Sequence, residues 1–156
     1  MECARNVLKL RGANSAEIDP GSAHIIISPV SCALPQNSSS GPRLSGPIPG
    51  IRLKAGSLLH AIYGCDEVVE EFFCNYEVNP EYEPRFASIG LDIVARGSGG
   101  EARAVELAGR RFFVATLFQP QLSSTAQRPH PLLTAFLRAA REFVGERQTG
   151  TGAARA

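Results

Sequence analysis

A nearly continuous apolar run ends in two glutamines separated by a proline. Residues 112–118 read Phe-Phe-Val-Ala-Thr-Leu-Phe and lead directly into Gln119, Pro120 and Gln121. General acid–base catalysis requires a side chain that exchanges a proton near neutral pH, and an amide does not titrate in that range. An uncharged amide also cannot stabilise a neighbouring imidazolium as a carboxylate does. These positions therefore suit hydrogen bonding and exclude proton transfer.

Cysteine thiols and histidine imidazoles are the other side chains suited to nucleophilic or metal chemistry. The four cysteines are Cys3, Cys32, Cys65 and Cys74. They form no Cys-x-x-Cys pair and have no histidine at ligand spacing, so we expect no metal site. In a reducing compartment each fits a small packed thiol. His24 and His60 have no partner pattern, and His130, between two prolines, is expected to help begin a helix.

The composition predicts one cytoplasmic domain with a modest core. The chain has 156 residues, of which 44% are hydrophobic. Sixteen basic residues stand against fifteen acidic ones and are scattered, which predicts binding to neither nucleic acid nor an anionic membrane. The apolar runs are too short to span a membrane, and no signal segment opens the chain.

The hydrophobic periodicity predicts both helices and strands. We expect helices over residues 2–10, 57–64 and 131–146, and a loop over residues 37–49. We expect strands over residues 24–34, 72–78, 90–96, 102–107 and 112–118. The first and last of these strands are expected to be interior, because their apolar runs do not alternate. The last helix carries one apolar stripe formed by Leu133, Phe136, Leu137, Ala140 and Val144.

Five motifs in one order resemble the glutamine amidotransferase domain of cytidine triphosphate (CTP) synthase, a class I amidotransferase. They are Ala4-Arg5-Asn6-Val7, Ala13-Asn14-Ser15-x-Glu17, Gly50-Ile51-Arg52-Leu53, Tyr76-Glu77-Val78-Asn79, and the closing strand and Pro-His-Pro-Leu helix within 106–140. Within the family, the chain is most similar to a divergent branch described as related to the C-terminal region of CTP synthase. Some members of that branch are described as selenoproteins.

The resemblance also shows where the chain departs from the family. The family's Cys-His-Glu triad takes its His and Glu from the positions of Gln119 and Gln121. Its Gly-x-Cys-x-Gly elbow precedes the segment that begins here at Met1. The resemblance therefore implies that ordinary glutamine hydrolysis is lost. Gln119 and Gln121 are either ligand-binding amides in an altered pocket or neutral remnants, and we favour remnants.

The family's substrate-facing Arg-His-Arg corresponds here to Phe73, Cys74 and Asn75. By this resemblance, Cys74, Asn75 and Tyr76 occupy substrate-binding strand positions. A reactive Cys74 would need a lowered thiol pKa, and no cationic residue lies next to it in sequence. We therefore favour a packed thiol there.

The resemblance implies an α/β fold: an N-terminally incomplete, doubly wound, flavodoxin-like domain with a mixed sheet. We expect a partial amidotransferase-like domain over residues 1–146 and a disordered tail over 147–156. An exposed sheet edge would then favour self-association. A truncated gene product, a misplaced start codon or an upstream selenocysteine codon read as a stop would each explain such a chain.

Two functions from different classes follow from this resemblance. The first is a degenerate amidotransferase-like protein without autonomous hydrolysis. It would bind a glutamine-like small molecule or dock a synthase-type protein partner in pyrimidine nucleotide metabolism, without a cofactor. The alternative is a fragment of an enzyme whose upstream Cys or selenocysteine performs altered amidotransferase or thiol chemistry. A non-functional fragment is the third interpretation. Autonomous CTP synthesis is not expected, because the resemblance covers only the amidotransferase end.

Overall fold

The computed structural model describes residues 1–30 and 45–152. Its strands in this part of the chain are β1 (Ala13–Ser15), β2 (His24–Pro29), β3 (Ser45–Leu53), β4 (Glu67–Phe73), β5 (Tyr76–Val78), β6 (Leu91–Arg96), β7 (Ala102–Leu107) and β8 (Val114–Thr116). The α-helices are α1 (Leu58–Tyr63), α2 (Glu83–Ala87), α3 (Pro120–Ser123) and α4 (Pro131–Gly152). A π-helical turn, Cys3–Val7, precedes β1, and a 3-10 turn, Pro80–Tyr82, precedes α2.

The strands form two sheets. A three-stranded sheet has the order β1-β2-β5, with β1 parallel to β2 and β5 antiparallel to it. A five-stranded sheet has the order β4-β3-β6-β7-β8 and is antiparallel throughout. The predicted α/β class with a mixed sheet is confirmed. The larger sheet is nevertheless antiparallel, because consecutive strands such as β6 and β7 are joined by a short turn that permits no crossover.

Local sequence signals determine two elements as expected. Helix α1 begins after Ser57, whose Oγ accepts a hydrogen bond from the backbone N–H of His60 at 3.0 Å. It ends at Gly64, whose φ of 70° is the left-handed conformation that glycine adopts without strain. The strands predicted over residues 90–96 and 102–107 are also present and form a hairpin, with β6 and β7 joined across residues 97–101.

The strand predicted over residues 72–78 is wrong as a single element. β4 ends at Phe73 in the five-stranded sheet, and β5 begins at Tyr76 in the three-stranded sheet. The apolar alternation continues through the break, but the two halves face different cores. Phe73 is consequently 44% exposed, whereas Glu77, four residues later on the same nominal face, is 1% exposed.

The strand predicted over residues 112–118 is shorter and lies at an edge. β8 covers Val114–Thr116 and is the outer strand beside β7. Its apolar run divides between two environments, since Phe118 is buried and Phe113 is 41% exposed. The Leu117 N–H still donates to the Arg103 carbonyl at 2.9 Å, so the chain follows β7 beyond the strand.

Several other boundaries differ from the predictions. The helix predicted over residues 2–10 is only the π-helical turn. The strand predicted over residues 24–34 is β2, which ends at Pro29 and has Ile26 as its one fully buried residue. Residues 45–49 of the predicted loop belong to β3, whose register shifts between Ile48 and Ile51, where Gly50 has a φ of 69°. The rest of that loop and Cys32 lie outside the described residues. β1, α2, α3 and the 3-10 turn were not predicted.

The last helix departs from its prediction in length and in orientation. It is helical to Gly152, past the expected end at Glu146; residues 153–156 of the predicted tail lie outside the described part. Among residues 131–147 of this helix, Leu132 and Ala135 are buried, while the predicted apolar stripe faces outward. The helix therefore packs through a narrow face that neighbours the stripe.

Two apolar clusters hold the fold together. The first joins the five-stranded sheet to α1 and α4 and contains Ile48, Ile51, Leu53, Leu59, Phe72, Val94, Ala95, Ala104, Phe118 and Leu132. The second lies against the three-stranded sheet and contains Ala4, Leu10, Ala13, Ile26, Tyr82 and Phe86. No helix among residues 1–30 and 45–152 has the length and apolarity to cross a membrane.

Several main-chain groups of the outer strand β1 form hydrogen bonds with other parts of the chain. Arg5 Nε donates to the Ala13 carbonyl at 2.8 Å. The Ser15 carbonyl accepts from the N–H groups of Ile18 and Asp19, each at 3.0 Å. These contacts cover part of one edge of the three-stranded sheet, and self-association through an exposed sheet edge stays a prediction.

Candidate functional site

The end of β8 is held in place by main-chain hydrogen bonds across the five-stranded sheet. The Gln119 N–H donates to the Glu71 carbonyl on β4 at 2.8 Å. Because β4 and β8 are the two outer strands, this bond joins the opposite edges of the curved sheet. Phe118 is 1% exposed and anchors the segment, and Pro120 occupies the first turn of α3, where its missing N–H costs nothing.

The Gln119 side chain also contacts the main chain of β4. Its Nε2 donates to the Phe73 carbonyl at 3.3 Å, which is a long and partly solvated bond. Gln121 is exposed on α3. The two predicted degenerate positions therefore share one strand end, but neither places an ionisable group there.

The other predicted site residues lie at the junction between β4 and β5, beside Gln119. The Asn75 carbonyl accepts from the Val30 N–H at 2.9 Å, and Tyr76 pairs with Pro29. The end of β2 therefore meets the same junction. The structure brings together three segments that are remote in sequence: the end of β2, the β4–β5 junction and the start of α3.

Cys74 packs between these segments. It contacts the first apolar cluster, and its Sγ lies 3.5 Å from the Tyr76 backbone N–H. These contacts favour the packed-thiol interpretation. No group of three or more Cys, His, Asp or Glu side chains arranged to hold a metal ion occurs in the described part of the chain.

A buried polar cluster includes Glu70 on β4 and was not predicted from the sequence. Glu70 and His130 are each 5% exposed, and Glu70 Oε1 lies 2.9 Å from His130 Nε2. The Tyr63 hydroxyl donates to the same oxygen at 2.5 Å. This Glu70–His130–Tyr63 cluster connects β4, the start of α4 and the end of α1.

The geometry determines the tautomer of His130. The Leu132 N–H donates to His130 Nδ1 at 3.2 Å, so Nδ1 is an acceptor and Nε2 carries the hydrogen that faces Glu70. His130 thus supplies the cap that begins α4, and its Nε2–H partners the buried carboxylate. The predicted helix-starting role fits this geometry, which also shows the partner that the sequence did not reveal.

Burial and the carboxylate both act on Tyr63. Burial raises the pKa of its phenol well above 10, and the hydrogen bond to Glu70 raises it further. The hydroxyl therefore stays protonated and donates. Glu70 Oε2 is buried without a hydrogen-bond partner in the described residues. A carboxylate in the otherwise apolar sequence Val68-x-Glu70-x-Phe72 is the signal by which this cluster could have been found.

A buried ion pair lies on β7 and its turn. Arg103, 1% exposed, donates through Nη2 and Nε to Glu101 Oε1 at 2.6 and 3.0 Å. Burial by itself would raise the pKa of Glu101, but the Arg103 hydrogen bond and charge hold it below its ordinary value. Gly97 makes room for this pair, because a Cβ there would lie 1.9 Å from Glu101 Oε1.

Sequence comparison shows similarity to CTP synthases. The chain is 37% identical over 153 residues to the CTP synthase of Archaeoglobus fulgidus, covering 95% of this chain and 28% of that protein. It is 38% identical over 146 residues to that of Thermus thermophilus, covering 90% of this chain and 26% of that protein. The chain thus spans about a quarter of the length of these relatives. No family model matches it.

Structural comparison agrees with the sequence comparison. The glutaminase domain of Trypanosoma brucei CTPS, solved with bound acivicin, superposes with a TM-score of 0.80 at 29% identity. The superposition covers 90% of this chain and 55% of the other. Together these matches support homology between this chain and the glutaminase domain of CTP synthase.

Proposed function

Starting from homology to the glutaminase domain of CTP synthase, we propose that this chain is a degenerate glutamine amidotransferase-like module that does not hydrolyse glutamine by itself. The observation that carries the proposal is the amide pair Gln119 and Gln121 at the end of β8. Neither can accept a thiol proton or orient a base that does so. The Glu70–His130 pair is buried, and its hydrogen bond joins β4 to the start of α4.

The module acts by binding. The junction of β2, β4–β5 and α3 offers amide and main-chain polar groups around Gln119, Asn75 and Tyr76, which suit a glutamine-like small molecule. A docked synthase-type protein partner is the other form of binding. With either form of binding, we place the chain in pyrimidine nucleotide metabolism in the cytoplasm. The divergent branch related to the C-terminal region of CTP synthase is part of this proposal. An upstream reading frame lacking an in-frame Gly-x-Cys-x-Gly, or its selenocysteine equivalent, would contradict the interpretation of the chain as a truncated product or one with a misplaced start codon.

Ammonia release from glutamine tests the proposal. The purified chain, and the longest reading frame that contains it, are assayed beside the glutaminase domain of Trypanosoma brucei CTPS as a positive control. We expect release at the buffer rate from the chain. Steady release from the longer reading frame, abolished by a nucleophile-to-Ala substitution, would establish the alternative enzyme instead.

Calorimetric titration with glutamine separates the two forms of binding. Saturable heat that Gln119→Ala reduces, and that Ile18→Ala leaves unchanged, would place the ligand at the end of β8. Ile18 is the control because it is 75% exposed in the segment after β1. An absence of heat would leave protein docking as the function of the module.

A further inference from the structure

The two ring nitrogens of His130 have different hydrogen-bonding roles. Nδ1 accepts from the Leu132 N–H at 3.2 Å, at the start of α4, and Nε2 lies 2.9 Å from Glu70 Oε1. An imidazolium carries a hydrogen on both nitrogens and can accept at neither. The bond from Leu132 therefore exists only while His130 is neutral. A further proton on the ring would set two donors, Nδ1–H and the Leu132 N–H, against each other.

Two titratable side chains face His130 from the elements packed against it. Glu70 lies on β4, and the Tyr63 hydroxyl, from α1, is 3.2 Å from Nε2. Burial raises the pKa of Tyr63 above its ordinary value, so this hydroxyl stays protonated at neutral and acid pH. Ser124, after α3, presents a hydroxyl that does not titrate. Acidification can therefore add a proton to this cluster at His130 or at Glu70.

Glu70 is the less favourable site for that proton. Its Oε1 already accepts from Tyr63 and lies against His130 Nε2. Its Oε2 is buried and has no hydrogen-bond partner among the described residues. A proton on Oε2 would be a buried donor without an acceptor, which is costly. On His130 Nδ1, the same proton turns the contact between Nε2 and Glu70 into a charge-assisted hydrogen bond.

An imidazolium at this position destabilises the start of α4. His130 accepts the hydrogen bond that caps the helix, and a cation beside the positive end of the helix dipole is unfavourable. The bond that is lost belongs to Leu132, which is 7% exposed and is part of the first apolar cluster. The residue that loses its cap is therefore the residue that anchors the helix to the core.

The start of α4 is also connected to the end of β8. The His130 N–H donates to Ser124 Oγ at 3.1 Å, and Ser124 directly follows α3, which begins after Gln119. Glu70 is next to Glu71, whose carbonyl accepts from the Gln119 N–H at 2.8 Å. A displacement of the α4 start therefore reaches α3 through one hydrogen bond.

We propose that His130 is a pH-sensitive switch: when its neutral ring takes up a proton at Nδ1, the first turn of α4 separates from the five-stranded sheet and α3 loosens with it. In the protonated state the imidazolium keeps its bond to Glu70, and the Leu132 N–H turns to solvent. The switch goes beyond the proposed function and does not depend on it, because it concerns the fold and no ligand takes part.

Amide hydrogen exchange of the full chain tests the proposal. Exchange is compared at about pH 7.5 and about pH 5.5, on either side of the range in which an imidazole ordinarily titrates, after correction for its intrinsic pH dependence. We expect the amides of residues 132–135 and 121–124 to lose protection at least about tenfold at the lower pH, whereas those of β7 keep theirs. The ¹⁵N shifts of the His130 ring show which nitrogen takes the proton.

Three variants connect the transition to this cluster. Glu70→Gln is expected to move its midpoint to lower pH, because the imidazolium loses the opposite charge beside it. His130→Asn keeps a side chain that caps a helix but does not titrate, so exchange is expected to be equal at both pH values. His60→Ala, in the pair with the exposed Asp66, is the control and leaves the transition unchanged. Circular dichroism melts confirm that each variant folds, and the ring shifts of the unsubstituted chain decide if one does not.

Four results would overturn the proposal. They are equal protection of residues 132–135 at both pH values, a loss that includes β7 and so marks global unfolding, an Nδ1 that stays unprotonated while α4 loosens, and a transition that survives in His130→Asn. Ammonia release is measured separately, so the proposed function stands or fails independently of these results.

Discussion

Glu70 and His130 form a buried acid–imidazole pair 2.9 Å apart that joins the middle of β4 to the first residue before α4. A second acid–imidazole pair in the chain, Asp66 with His60, has the same 2.9 Å separation. The two differ in burial: Glu70 and His130 side chains are 5% and 4% exposed, whereas Asp66 is 92% exposed. The chain thus contains its own control for the effect of burial on such a pair.

His130→Ala is expected to lower the free energy of unfolding by about 3 kcal/mol, because it leaves a buried carboxylate short of a donor and removes the cap of α4. His60→Ala is expected to cost at most about 1 kcal/mol, since solvent screens an exposed pair. Urea unfolding followed by circular dichroism measures both. Equal losses would show that the Glu70–His130–Tyr63 cluster is not a stabilising unit.

The raised pKa of the Tyr63 phenol predicts that the folded protein loses stability at high pH. Its folded-state pKa is raised above 10, so the stabilisation is fully present below pH 10 and is lost as the pH rises beyond it. The unfolded chain can then release a proton that the folded chain retains. We expect the Tyr63→Phe variant to lose stability at neutral pH and to show a shallower decline above pH 10. An unchanged alkaline slope in thermal melts would contradict this assignment.

The lowered pKa of Glu101 predicts that the folded protein loses stability at low pH. Its folded-state pKa is held below the ordinary 4.5, so its stabilisation is present above pH 4.5 and is lost as the pH falls through the folded-state value. Glu101→Gln is expected to destabilise the protein at pH 7, because the buried Arg103 loses the carboxylate charge of Glu101. The difference from the unsubstituted chain should shrink on acidification. A constant difference between pH 7 and pH 3 would argue against the assignment.

The end of β8 is expected to depend on packing more than on the amide of Gln119. Phe118→Ala removes a fully buried ring and is expected to cost about 3–5 kcal/mol. Gln119→Ala removes one long hydrogen bond and keeps the main-chain bond to Glu71, so it is expected to cost about 1 kcal/mol or less. Denaturant midpoints compare the two. A large loss from Gln119→Ala would mean that the amide positions the segment.

The local sequence predicted those elements whose boundaries depend on neighbouring residues. Ser57 and Gly64 bound α1 because a hydroxyl cap and a left-handed glycine act within one helical turn. The β6–β7 hairpin was predictable because its turn is short and glycine-rich. The site was less predictable. The segments around Gln119 and Asn75 meet through hydrogen bonds between strands that are far apart in sequence.

By itself, the sequence determined the chemistry that is available at the end of β8 and the family that the chain resembles. Residue identity decides both, since amides at positions 119 and 121 cannot transfer protons in any fold. Only the tertiary structure decided which side chains are buried and which partners they have. It divided residues 67–78 between two sheets, and it turned the apolar stripe of α4 outward. It also placed Glu70 against His130, sixty residues away. Periodicity reports that a face is apolar, but the packing of remote elements decides whether that face is covered.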